Sequence, residues 1–300
     1  MRKLLRPFLI CLLLGWTGPL LAGTLLLIES QQGGPYAEFS RALEVALGNT
    51  SWRVSERLSA DTATSGKSAD LIITTGSEAF RQALRQNPGL PILATLLPRQ
   101  GFERALNDAG RSRQRVSAIF LDQPAGRQAS FLRHLLPGNT QIGMLYSSES
   151  RNLYSSMRSI FASNALQLNG AEVGDNDLLP ELSNVLSRND ALLAIPDSSI
   201  YRRDQIKGIL MTSYRLKKPV IAFSQSLVHA GALAGIYSDP AQIARQTADL
   251  LISHGANLPP PMAPSQFAIS LNPHVADALG IRLPDETELR RAMLADKESR

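Results

Sequence analysis

The sequence predicts an α/β protein built from two open, mostly parallel sheets, one in each half of the chain. Three observations predict it. Short apolar runs of strand length alternate with longer amphipathic runs of helical spacing. The alternation is played out twice, over roughly a hundred residues each time. Polar and small residues recur just past the apolar runs, where a strand turns into a helix.

The elements follow in order. Thr24–Glu29 (TLLLIE) reads as a buried strand. After Gly33-Gly34-Pro35, Phe39, Leu43 and Leu47 fall at helical spacing. Trp52–Leu58 alternates as a strand does, and Asp70–Thr75, Pro91–Leu96 and Val116–Leu121 are further strands. A helix over Glu78–Gln86 separates the second and third of these. The second half repeats the scheme. Its strands are Gln141–Tyr146, Leu166–Glu172, Ala191–Ile195, Pro219–Phe223, Ala232–Tyr237 and Gln266–Leu271. Its helices are Gly126–Leu136, Ser150–Asn164, Leu178–Ser187, Asp204–Leu216, Ala241–His254 and Pro273–Leu279. Asp239-Pro240 supplies a cap and a first-turn proline for the fifth of them. Asn257–Pro264 (NLPPPMAP) reads as a semi-rigid connector, and the charged end of the chain reads as a tail.

The polar residues past the strand ends are the candidate site. They are Ser30-Gln31, Gly76-Ser77, Pro98-Arg99, Asp122-Gln123, Ser147-Ser148, Asp197-Ser198 and Ser224-Gln225. Open α/β sheets bind ligands at that edge, because helix N-termini and free loop amides converge there. Turn chemistry alone also favours these residue types, so the recurrence in both halves carries the argument.

Composition narrows the function. The chain has 300 residues, 31 Lys+Arg, 26 Asp+Glu and one cysteine. Residues 1–22 (MRKLLRPFLICLLLGWTGPLLA) have the layout of a secretory signal peptide. Arg2, Lys3 and Arg6 precede the apolar run Phe8–Trp16, and Ala22-Gly23 offers a cleavage point. That run is too short to span a bilayer comfortably. Cleavage would leave 28 basic and 26 acidic residues, a charge of +2, and would remove Cys11. The mature chain would then carry no nucleic-acid footprint, no thiol nucleophile and no disulfide.

Catalytic and metal signals are weak. Thr64–Ser68 (TSGKS) ends like a P-loop, but Asp61 stands where the first glycine belongs. His134, His229, His254 and His274 are far apart and lack metal-ligand spacing. No Gly-x-Ser-x-Gly elbow is present. Arg111–Arg115 (RSRQR) reads as a solvated loop. The expectation is therefore no catalytic residue, no metal and no cofactor.

Several segments resemble periplasmic substrate-binding proteins of ABC transporters. Asp70–Ala79 (DLIITTGSEA) is similar to that family's strand-and-turn DLIV-x-x-GT-x-A. Ser117–Pro124 (SAIFLDQP), Leu132–Pro137 (LRHLLP) and Gln141–Ser147 (QIGMLYS) resemble its lobe crossover, and Ala194–Ser198 (AIPDS) its PD/TN loop. Lys218–Tyr237, Asp239–Leu251 and Phe267–Leu283 resemble its closing segments. The resemblance points to the branch that includes binders of aromatic and other amino acids.

It implies two Rossmann-like lobes joined by a hinge, a type I periplasmic binding protein-like fold. The implied division is 1–22 signal peptide, 24–122 plus 226–264 N-terminal lobe, 123–225 plus 265–284 C-terminal lobe, and 285–300 charged tail. The implied crossings lie near Leu121–Gln123, Phe223–Leu227 and Ser265–Leu271. The implied activity is capture of a small solute between the lobes. An amino-acid carboxylate would suit Ser77 and Ser198, and Tyr36 could cover an apolar ligand face. Departures from the family pattern at Pro196–Ser199, Ser117-Ala118 and Ser224–Ser226 imply a polar, weakly charged cleft.

The reading is a monomeric periplasmic solute-binding protein that hands a small ligand, an amino-acid-like one included, to a membrane permease. Nucleic acid is not a partner. The alternative is a ligand-sensing module signalling to a membrane partner, and an exported hydrolase comes third.

Overall fold

A computed structural model describes residues 23–61, 69–86, 89–110, 115–138, 140–174 and 177–296. The leader at 1–22, the Thr64–Ser68 stretch, most of Arg111–Arg115 and the chain end from 297 lie outside the described residues.

The first sheet contains β1 (Gly23–Glu29), β2 (Trp52–Ser59), β3 (Leu71–Thr75), β4 (Ile92–Leu97) and β5 (Val116–Phe120). Its order is β2-β1-β3-β4-β5 and every pairing is parallel. Successive strand side chains point to opposite faces, so both faces must be covered. Leu25 and Leu27 pack with α1 (Gly34–Leu47) through Phe39 and Leu43. The same face receives Ile243 and Leu251 of the much later helix α9 (Pro240–His254). Leu26 and Ile28 pack on the other face with α2 (Ser77–Gln86) and α3 (Arg99–Asp108). Phe80 stacks on Phe102 at 5.0 Å, and Phe102 meets Phe120 edge-on at 5.5 Å.

The second sheet contains β6 (Gln141–Tyr146), β7 (Gln167–Glu172), β8 (Ala191–Leu193), β9 (Val220–Ala222), β10 (Ala234–Tyr237) and β11 (Ala268–Leu271). Its order is β11-β10-β9-β8-β6-β7, with only β11 antiparallel. Counted from β6, the five parallel strands repeat the 2-1-3-4-5 order of the first sheet. Helices α4 (Ala125–Leu135), α5 (Arg151–Ser163), α6 (Leu178–Ser187), α7 (Arg203–Arg215), α8 (Gln225–His229) and α10 (Pro273–Leu279) accompany it. The two-lobe α/β expectation is the fold observed.

Three boundaries differ from the expectation. β10 pairs with β9 and β11, so residues 226–237 belong to the second lobe and not to the first. Phe223–Leu227 is accordingly no crossing; Ser224 caps the short α8, which stays within the second lobe. The supposed charged tail 285–300 contains α11 (Glu286–Ala295), capped by Asp285. Leu289 and Met293 bury its apolar stripe against the second lobe, a stripe that the charges between them hide in the sequence.

Candidate functional site

Three segments join the lobes, and side chains lash them together. The first runs from β5 into α4 through Leu121–Pro124, and the second from β10 into α9 through Ser238 and Asp239. The third follows Met262, which pairs with β5 beside Ile119, and enters β11. The Gln123 Nε2 donates to Ser238 Oγ at 2.9 Å, and Ser238 Oγ donates to the Gln266 carbonyl at 2.5 Å. One buried amide and one hydroxyl thus tie all three crossings. Arg127 donates to Gln123 Oε1 at 2.8 Å and to the Pro264 carbonyl at 3.0 Å. Its guanidinium and that of Arg290 each lie 5.1 Å from the Phe267 ring.

A cavity of about 420 Å³ opens beside this knot, between the lobes. Tyr36 and Leu96 line it from the first lobe, Phe223 and Ser224 from the second, and Leu121 and Tyr237 from the crossings. Each wall residue has a local cause. Pro35 starts α1, which sets Tyr36 on its first turn. Gly76 follows β3 with φ +87, and a Cβ there would lie 2.6 Å from Ser30 Oγ and 3.0 Å from the Tyr36 ring. Only glycine lets that ring come so close. Leu96 sits at an irregularity between β4 and β5 with φ 53, a conformation a leucine adopts at a cost of about 1–3 kcal/mol. Phe223 packs edge-on against Tyr201 at 5.6 Å. Burial pushes the Tyr36 and Tyr237 hydroxyls above the ordinary phenol range.

The expected site residues, those of the strand ends and Tyr36, fall into four places. Tyr36, Ser224 and Gln225 line the hinge cavity. Asp122 and Gln123 line a second cavity of about 520 Å³ on another side of the crossings, with Arg99 and Gln100. There Asp122 Oδ2 accepts the Arg99 N–H at 2.7 Å, while its buried Oδ1 has no partner among the described residues. Burial raises this carboxyl above its ordinary range. Ser147 and Ser198 line a third, more polar cavity of about 870 Å³. Ser30, Gln31, Gly76, Ser77 and Asp197 line none of these.

Asp197 is 1% exposed, and its carboxylate is already used. It accepts from Ser147 Oγ at 2.8 Å, Ser150 Oγ at 2.5 Å, the Ser147 N–H at 3.2 Å and the Ser199 N–H at 2.9 Å. Ser30 Oγ likewise accepts the Ala79 N–H at 3.0 Å and caps α2. Across the cleft the lobes touch directly. Gln100 Nε2 donates to the Pro196 carbonyl at 2.6 Å, and Arg104 pairs with Glu149.

Sequence reasoning did not place Leu96, Tyr237 or Ser238 in the site, and it named Leu121 and Phe223 only as crossings and Asp239 only as a cap. Tyr237 and Ser238 stand at a strand end and obey the same rule as the residues that were singled out. Leu96 left no signal, because an apolar residue inside an apolar run reads as core. Among the described residues no group of His, Cys, Asp and Glu could hold a metal ion.

A family model described as "ABC transporter substrate binding protein" matches residues 54–293. No curated protein sequence matches the chain. Solved structures share the fold at low identity. One is described as an ABC domain in complex with L-Trp from Streptococcus pneumonia. It is 16% identical, with 89% of this chain and 98% of that chain covered, at a TM-score of 0.62. The ligand-free, open structure of a substrate-binding protein with adhesive properties from Clostridium difficile is 14% identical. It covers 88% and 96% of the two chains at a TM-score of 0.64. A conserved domain protein from Vibrio cholerae is 17% identical, with coverage of 91% and 98% and a TM-score of 0.62.

Proposed function

The chain belongs to the family of ABC transporter substrate-binding proteins, and from that premise we propose that it captures a small solute in the hinge cavity and delivers it to a membrane permease. The observation that carries the reading is the cavity itself. Among the described residues three lashed segments join the two lobes on either side of it, so one ligand there touches both lobes at once. A ligand that bridges both binds the closed arrangement better and shifts the population toward it.

The protein works as a monomer, exported to the periplasm by a cleaved leader at 1–22, and performs no chemistry of its own. Its described residues contain no helix long and apolar enough to cross a membrane. A solute-panel melting experiment tests the capture step. A true ligand at a hundred times its Kd raises stability by about 2.7 kcal/mol, a shift of several degrees. A panel spanning amino acids, amines, sugars and organic acids that moves nothing would overturn the reading. Mass spectrometry of the exported chain tests the leader, and an N-terminus at Gly23 is the expected result.

A further inference from the structure

We propose that the hinge cavity takes a planar apolar ligand that is neutral or cationic, and discriminates against the carboxylate of a free amino acid. The inference rests on the capture reading and deepens it. Three aromatic side chains, Tyr36, Phe223 and Tyr237, and two leucines, Leu96 and Leu121, form its walls. A volume of about 420 Å³ lies within the range of small-molecule pockets and admits a one- or two-ring body.

The formal charges on the lining are all of one sign, set against the partial positive ends of α1 and α9, whose first turns also reach the cavity. Glu38 and Asp239 stand on the cavity, and no Lys, Arg or His lines it. Neither carboxylate has an ion-pair partner among the described residues, in contrast to Glu29, Glu78, Glu149 and Glu172. Asp239 spends Oδ1 on the Gln242 N–H at 2.7 Å, capping α9, which leaves its charge uncompensated by any cation. An ammonium brought here gains chiefly from the half-buried Asp239 carboxylate and from aromatic faces, with a smaller, solvent-screened share from the exposed Glu38, whereas a ligand carboxylate is repelled by the same groups.

Of the neutral polar groups on the lining, Ser224 Oγ is spent on the Leu227 N–H, and Gln225 and Ser226 beside it carry no charge. Ser238 Oγ already accepts from Gln123 and donates to Gln266. The serines suited to a carboxylate, Ser77 and Ser198, lie off this cavity. The Tyr36 hydroxyl, on a side chain that lines the cavity, has no hydrogen-bond partner among the described residues.

Titration calorimetry with tryptamine, indole and tryptophan tests this, since the first and third differ by one carboxylate. Tryptamine is expected to bind at least about tenfold more tightly than tryptophan, a difference of about 1.4 kcal/mol. Indole should fall between them. The double variant Glu38→Gln, Asp239→Asn is expected to bring that ratio below about threefold. Asparagine still caps a helix, so its melting temperature should match that of the parent protein. Tryptophan equal to or tighter than tryptamine overturns the proposal and leaves solute capture standing. So does binding of a sugar or organic acid when none of the three probes binds. A tryptamine preference that survives in the double variant removes the assignment to these two carboxylates. Only a protein that binds no solute in the wider panel loses the capture reading as well.

Discussion

The two lobes share one strand order, yet their switch points are filled in opposite ways. In a 2-1-3-4-5 sheet the strand order reverses beside the first strand, and a crevice opens there. In the first lobe that place lies between β1 and β3, where Gly76 has no side chain and the Tyr36 ring leans in toward the hinge cavity. In the second lobe it lies between β6 and β8, and Asp197 seals it with four hydrogen bonds from Ser147, Ser150 and Ser199. Polar residues at a strand end therefore stand in two settings. Those whose bonds are already made within the lobe hold its loops together. Those on the aromatic-walled space include groups spent on caps and crossings, Ser224, Ser238 and Asp239 among them, beside the Tyr36 hydroxyl, which makes no bond among the described residues.

The largest test of that contrast is Asp197→Ala. It removes the common acceptor of two buried serines and should cost about 3 kcal/mol in chemical denaturation. An unchanged midpoint would place Asp197 outside the structural role. Next comes Gln123→Ala at the crossings, which leaves Arg127 and Ser238 short of a partner. It should cost about 2 kcal/mol and broaden the lobe angles, read as a larger radius of gyration in X-ray scattering. Tyr36→Ala acts on the open switch point. It should weaken solute binding by about tenfold while leaving the denaturation midpoint close to that of the parent protein, because Tyr36 is only partly buried. Equal losses of affinity from Asp197→Ala and Tyr36→Ala would erase the contrast.

The smallest effect is expected at Asp122, which belongs to neither cluster. Burial raises its carboxyl, so the folded state favours the neutral form. Its favourable contribution is full below the ordinary carboxylate range and is lost as pH rises through the raised value. At neutral pH, where the carboxyl of the unfolded chain is ionised, the cost of burying or neutralising it opposes folding. Asp122→Asn keeps an acceptor for the Arg99 N–H and should stabilise the protein by about 1 kcal/mol at pH 7. The gain should disappear on acidification, as stability curves measured from pH 7 down to pH 3 would show.

Much of the fold was legible in the chain. Runs such as Leu25–Ile28 and Leu71–Ile73 are apolar at every position because both faces of the first sheet are covered, and their lengths are those of strands. The cap at Asp239 was equally local, because proline and glutamine follow it at the spacing of a capping box. The lobe membership of 226–237 was not legible. Strand pairing joins residues far apart in sequence, and β10 reads the same whichever sheet receives it. The last helix escaped notice for a related reason. Its two buried residues, Leu289 and Met293, acquire an apolar partner only when the second lobe is assembled.

The sequence by itself determined most of the strands and helices, though not Arg99–Asp108, Gln225–His229 or Glu286–Ala295, and that polar residues gather at one edge of each sheet. Those are properties of periodicity and turn chemistry, carried by neighbours in the chain. Tertiary structure alone decided which polar groups are enclosed and which reach a cavity. Asp197 and Asp239 are both acids at the end of an apolar run. One is enclosed by serines from another loop, and the other faces an aromatic cavity lined by no cation. A hydrogen bond between loops depends on where each loop ends in space, which no local pattern encodes.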